Sequence, residues 1–160
     1  MNRPLVCEHL TAAFSDTDHR AAEWSAVLLQ HHRDIRLEID QIRTSVSAPD
    51  CHLHRIEARL RRLGRAVLMH LELESCCLDP AVQTHSGRGS EDLRRLRQGY
   101  EGLRRVLEST ADFLQREKLS HHAPVLNGEQ QTAILGLLAE IQERLEVEDG
   151  YYRRYGGARD

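Results

Sequence analysis

Leu68-Met69-His70-Leu71-Glu72-Leu73-Glu74-Ser75-Cys76-Cys77-Leu78 is the stretch on which the reading of this chain turns. It closes a segment whose apolar residues, Leu53, Ile56, Leu60, Leu63, Val67, Leu71 and Leu78, recur at helical spacing. Wound at about 100° per residue they form one stripe, with Glu74 roughly 25° and His70 roughly 65° from its centre. Residues four apart share a helix face, so these two side chains can act on one centre. A carboxylate turned into its own core needs a partner, because an unpaired buried charge is very costly or simply takes up a proton.

The segments on either side carry the same periodicity. Upstream, Ser15 to Asp18 offers capping chemistry for a helix over about 18–46, with Trp24, Leu28, Ile35, Ile39, Ile42 and Val46 on one face. His31 and His32 flank that face about equally, and periodicity does not choose between them. Ser47-Ala48-Pro49-Asp50 breaks the pattern, with Asp50 as a candidate cap for the second helix, and Asp79-Pro80 marks that helix's end or a kink. Beyond the polar loop 84–89, Ser90 caps a third helix with Glu91 and Asp92 in its first turn. Its stripe is Leu93, Leu96, Tyr100, Leu103, Leu107 and Leu114, and it contains no histidine. Tyr100 lies near mid-stripe, so its hydroxyl should seek a polar partner inside. His121-His122 occupies the next loop, where solvated histidines are the default. Asn127-Gly128-Glu129-Gln130 reads as a capping box for a fourth helix with Ile134, Leu137, Leu138, Ile141, Leu145 and Tyr152 in its stripe and Gly156-Gly157 at its end.

Four long helices on short loops predict an all-α, antiparallel up-down-up-down four-helix bundle over residues 16–156, preceded by a short arm over 1–15. At 160 residues the chain is one domain with a single sizeable core. A net charge of −3, without a block of Lys or Arg, calls for neither a nucleic acid nor an acidic membrane as partner. No apolar run is long enough to span a bilayer and no secretion signal opens the chain, so a cytoplasmic location is expected. Cys7, Cys51, Cys76 and Cys77 have no metal-binding spacing and are expected as free thiols in a reducing cytosol.

The fourth helix repeats the anomaly of the second. Glu148 falls roughly 25° and Arg144 roughly 65° from the centre of its stripe. Inward carboxylates on two helices and histidines on two others are how bundle proteins build a metal site. A buried Arg–Glu cluster without metal satisfies the same charges.

Short motifs in this order resemble the hemerythrin-like (HHE cation-binding) domains of bacteria: His32-Arg33-Asp34-Ile35-Arg36, then His70-Leu71-Glu72-Leu73-Glu74 followed by Leu78 and Pro80. The closing Arg144-Leu145-Glu146-Val147-Glu148-Asp149 is similar to the last helix of a subgroup carrying arginine there, and the resemblance covers about 24–153. It implies His32 rather than His31 as the first-helix ligand. It implies further a site of two irons bridged by carboxylates, in which His32 and His70 match the histidines of one iron and Glu74 and Glu148 the bridges. The other iron would need histidines from the third helix, which has none, and from position 144, which is Arg.

The expectation is therefore a hemerythrin-like protein with at most one complete metal site: one ion per chain, or none. Iron suits these ligands, as do manganese and zinc. The metal residues are His32, His70, Glu74 and Glu148, with His31, Tyr100 and Asp149 as further candidates and Arg144 as the charge partner. A sensor, regulator or metal-handling role fits better than oxygen carriage. The rival is a metal-free interaction module with a protein partner, of the kind that bacterial sigma-factor-binding bundles with a similar Arg-x-x-x-Glu-Asp ending exemplify. Activation of oxygen or peroxide ranks third, because no further acid, base or cofactor motif supports an enzyme.

Overall fold

Each periodic stretch becomes one helix in the computed structural model, which describes residues 17–84, 89–120 and 125–155. The helices are α1 (Thr17–Val46), α2 (Leu53–Thr84), α3 (Gly89–Ser120) and α4 (Gly128–Tyr155). The N-terminal arm, His121-His122 and Gly156-Gly157 lie outside the described residues, as do the side chains of Ser15 to Asp18, Ser90, Leu93 and Leu114.

Two apolar clusters show how the helices are arranged. The larger joins Ile35, Ile39, Ile42 and Val46 of α1, Ile56, Leu63, Val67 and Leu71 of α2, Leu103 of α3 and Ile134, Leu138, Ile141 and Leu145 of α4. The second joins Trp24 and Leu28 from early α1, Leu78 from late α2, Leu96 from early α3 and Tyr151, Tyr152 and Tyr155 from late α4. The starts of α1 and α3 thus meet the ends of α2 and α4, so consecutive helices run in opposite directions around the bundle. At the opposite end the two connections touch: Leu126 N–H donates to Cys51 C=O at 2.8 Å, and His52 pairs with Val125 in an isolated bridge.

The capping box at α4 forms as its residues suggest. Gln130 N–H donates to Asn127 Oδ1 at 2.8 Å, and Asn127 N–H donates back to Gln130 Oε1 at 3.0 Å. Three other boundaries differ from expectation. The third helix begins at Gly89, so Ser90, expected as its cap, is already its second residue. The second helix starts at Leu53, two residues after the cysteine that follows Asp50, because Cys51 is buried and its carbonyl is engaged with Leu126. Nor does Pro80 end it: α2 continues to Thr84, one turn beyond the residue whose missing N–H and ring disfavour a helix interior. None of the described helices is long and apolar enough to cross a membrane. The thiol expectation holds for Cys51 and Cys77, but Cys76 is disulfide-bonded. Spacing along a helix carries no information about which sulfur meets which in space.

Replacing Asn127 with Ala removes the Oδ1 that accepts from Gln130 N–H and keeps the backbone bond from residue 127 to Gln130 Oε1. Urea denaturation should show a loss of about 0.5–2 kcal/mol with an unchanged denaturant slope. No loss would mean that the α3–α4 connection, and not the cap, holds the start of α4.

Candidate metal centre

Between the two apolar clusters lies a polar layer to which every helix contributes. His32 sits between Leu28 and Ile35 on α1, His70 between Val67 and Leu78 on α2, and Glu148 between Leu145 and Tyr152 on α4, and all three are buried. The two imidazoles face one another through their Nε2 atoms at 2.9 Å. Glu148 Oε2 lies 3.3 Å from His32 Nε2 and 3.2 Å from His70 Nε2. One nitrogen or oxygen from each of these residues falls within 4.8 Å of the others, a donor set suited to a metal ion.

The orientation of His32 is fixed from behind. Its Nδ1 lies 2.6 Å from Asp149 Oδ1, and a carboxylate can only accept there, so Nδ1 carries the proton. In the neutral ring Nε2 then directs its lone pair into the core, the pattern by which an outer carboxylate prepares a histidine to bind a metal. Arg36 donates to the other Asp149 oxygen at 2.7 Å and holds that carboxylate in turn. Asp149, a candidate ligand on sequence grounds, is thus on the Nδ1 side of the ring, away from the converging Nε2 atoms. His70 Nδ1 has no hydrogen-bond partner among the described residues. His31 is half-buried; its ring centroid is 6.1 Å from that of His70, and it lines a shallow cleft with Glu38, Arg62 and Met69.

The other side of Glu148 is occupied by a fixed cation. Arg144 Nε donates to Glu148 Oε1, its terminal nitrogen donates to the Leu96 carbonyl at 3.3 Å, and its guanidinium lies 4.9 Å from the centre of the Tyr100 ring. Gly99 makes room for this, since a methyl group in its place would collide with the guanidinium. The third helix thus supplies a slot for arginine where no histidine is present. Glu74 is fully buried beside this group, yet neither its oxygens nor the Tyr100 hydroxyl make a hydrogen bond among the described residues, although each bears on the other's proton affinity.

Charge is shared unequally between the two carboxylates. Burial, then the negative charge of Glu148, raises the Glu74 carboxyl well above its ordinary value, against the opposing pull of Arg144. Burial works to raise Glu148 as well, but bonds from His32 and His70 and the charge of Arg144 outweigh it and bring the carboxyl down to about 2. Burial also lowers the His70 imidazole, against the pull of Glu148, which favours the neutral ring that a metal requires.

Two members of this layer escaped the reading of the sequence. Tyr152 falls in the apolar stripe of its helix, but its hydroxyl lies 3.3 Å from His32 Nε2 and 3.2 Å from His70 Nε2. Its spacing of four from Glu148 was the available signal. Gly99 has no signal of its own, because the demand on it comes from a side chain of another helix.

Residues 25–154 match the hemerythrin HHE cation-binding domain. No curated protein and no solved structure matches the chain.

Unequal charge sharing has a measurable consequence in protein stripped of metal. Glu74 has a raised pKa in the folded state and an ordinary value of 4.5 otherwise, so above 4.5 the folded chain keeps a proton that the unfolded chain releases. Its contribution to stability therefore falls as pH rises from 4.5 until the folded value is reached. Glutamine does not titrate. The melting temperature of Glu74→Gln, measured with chelator, should gain on that of the parent as pH rises above 4.5. A difference that does not vary with pH would contradict the raised Glu74 pKa.

Proposed function

Because this chain belongs to the hemerythrin family of HHE cation-binding domains, we propose that it holds a single metal ion on His32, His70 and Glu148 and acts as a sensor, regulator or metal-handling protein. The observation that carries this reading is the convergence of three buried donors from three helices, with His32 oriented by Asp149. The donors fit such an ion. Glu148 presents Oε2 to both imidazoles, and the core beside it contains Glu74, whose oxygens have no hydrogen-bond partner among the described residues and which gains from a nearby positive charge.

Limitation to one ion is supported by Arg144. A second ion beside the carboxylates would draw on α3 and on position 144, and there the guanidinium is seated against Leu96 and Tyr100. Arginine is always charged, so it neutralises Glu148 without any metal. Reversible oxygen carriage by a pair of irons is not part of this reading. Iron is our assignment, and manganese or zinc suits the same donors. Iron would supply positive charge and a one-electron change between ferrous and ferric states to which the bundle could respond.

A metal-free interaction module that binds a protein partner is the second reading. It is favoured by the bonds that Arg144, His32 and His70 already provide to Glu148. A cytoplasmic location agrees with the free thiols of Cys51 and Cys77, while the disulfide at Cys76 weighs the other way.

Thermal melts separate the two readings. Metal that binds only the folded chain, at a hundred times its dissociation constant, stabilises by about 2.7 kcal/mol. In a chain of this size that raises the melting temperature by about 5–10 °C. Loading with Fe(II) without oxygen should produce such a rise in the parent and none in His70→Leu. Equal melts for loaded and chelated parent would favour the interaction module.

A further inference from the structure

We propose that the phenolic oxygen of Tyr152 is a fourth ligand of the metal, completing the set that His32, His70 and Glu148 begin. This rests on the one-metal reading above and extends it. The observation is the position of the Tyr152 hydroxyl, in a buried residue, 3.3 Å from His32 Nε2 and 3.2 Å from His70 Nε2.

Hydrogen bonding alone does not account for the group. Those two contacts join the imidazole pair at 2.9 Å and the contacts of Glu148 Oε2 at 3.3 and 3.2 Å, so each Nε2 is met by the facing nitrogen and by two oxygens. A neutral His32 that donates Nδ1–H to Asp149 has no proton left at Nε2, and the Glu148 carboxylate is an acceptor only, so a bond from His32 to Glu148 requires the imidazolium. With both rings neutral, as a metal requires, only the Tyr152 hydroxyl and the His70 ring supply protons, at most two among the five contacts. A cation common to all four atoms satisfies every lone pair at once. The spacing agrees: nitrogen and oxygen donors held at about 2.0–2.1 Å around a tetrahedral ion lie roughly 3.3 Å apart. The ring is held in place by Trp24, which meets it edge-on at a centroid distance of 5.9 Å. Tyr100 serves as the internal comparison. Its hydroxyl is buried too, but it lies on the Glu74 and Arg144 side and touches neither imidazole among the described residues.

On binding, the oxygen–hydrogen bond of Tyr152 breaks, its proton passes to the buffer, and the phenolate oxygen donates its electron pair to the ion. No change of oxidation state is needed for that step.

The test is the optical spectrum of protein loaded with Fe(II) without oxygen, freed of excess iron, and then oxidised by air to the ferric state. A ferric phenolate absorbs visible light and shows tyrosinate ring modes in resonance Raman spectra, whereas histidine and carboxylate ligands do not. The parent should show both signals with bound iron confirmed by elemental analysis. Tyr152→Phe should lose them, and Tyr100→Phe should keep them. Iron bound to the parent without these signals, or signals that survive Tyr152→Phe, would overturn the tyrosine ligand and leave the one-metal site standing. A parent that binds no metal would overturn both. If Tyr152→Phe fails to fold or to hold iron, Zn(II) titration of the parent decides: one ionised tyrosine per bound zinc in the near-ultraviolet difference spectrum is expected, and none would overturn the proposal.

Discussion

Two carboxylates buried in one layer of a helical bundle are the constraint on which the rest of this structure depends. Glu74 and Glu148 are both fully excluded from solvent, and two like charges so placed cannot both persist without positive charge beside them. Arg144 neutralises one. In the absence of a further cation, the other is driven to hold a proton, which is why their proton affinities separate so widely. A cation at the imidazoles changes that balance, because it adds the positive charge that the pair lacks. Metal binding and the protonation of Glu74 are thus two answers to the same electrostatic demand.

Much of the layer serves to prepare groups rather than to bind anything. Asp149 and Arg36 form a chain behind His32 that selects its tautomer. On the opposite side, the Leu96 carbonyl, the Tyr100 ring and the bare backbone at Gly99 form the seat of the guanidinium. The site therefore has two unlike halves. One converges imidazole nitrogens on a common point, and the other fixes a permanent cation. Apolar clusters above and below exclude water from both halves and strengthen each charge interaction within them.

How far this was legible in the sequence follows from what periodicity can carry. Winding a helix gives directions, so the four-helix architecture and the inward turn of His70, Glu74, Arg144 and Glu148 could be read directly. It does not discriminate between residues equally placed on either flank: His31 and His32 differed only through the family resemblance, and the bundle buries the second while leaving the first half-exposed. Contacts between helices were beyond reach. Gly99 matters because of an arginine 45 positions away, and Asp149 works behind a histidine of another helix. Tyr152 was hidden in a different way, since a tyrosine within an apolar stripe looks like packing until its hydroxyl is located. At Pro80 the sequence allows an end or a kink, and the helix does not end there, because one missing N–H is a weaker constraint near the end of a long helix than in its middle.

We propose that Arg144 does the electrostatic work of a second metal ion, so that this bundle holds one. Native mass spectrometry of protein purified without an affinity tag, loaded with excess Fe(II) in the absence of oxygen and then desalted, counts the ions directly. One tightly held ion per chain is expected. Two tightly held ions per chain would contradict it, because the second would have to find ligands where the guanidinium now lies.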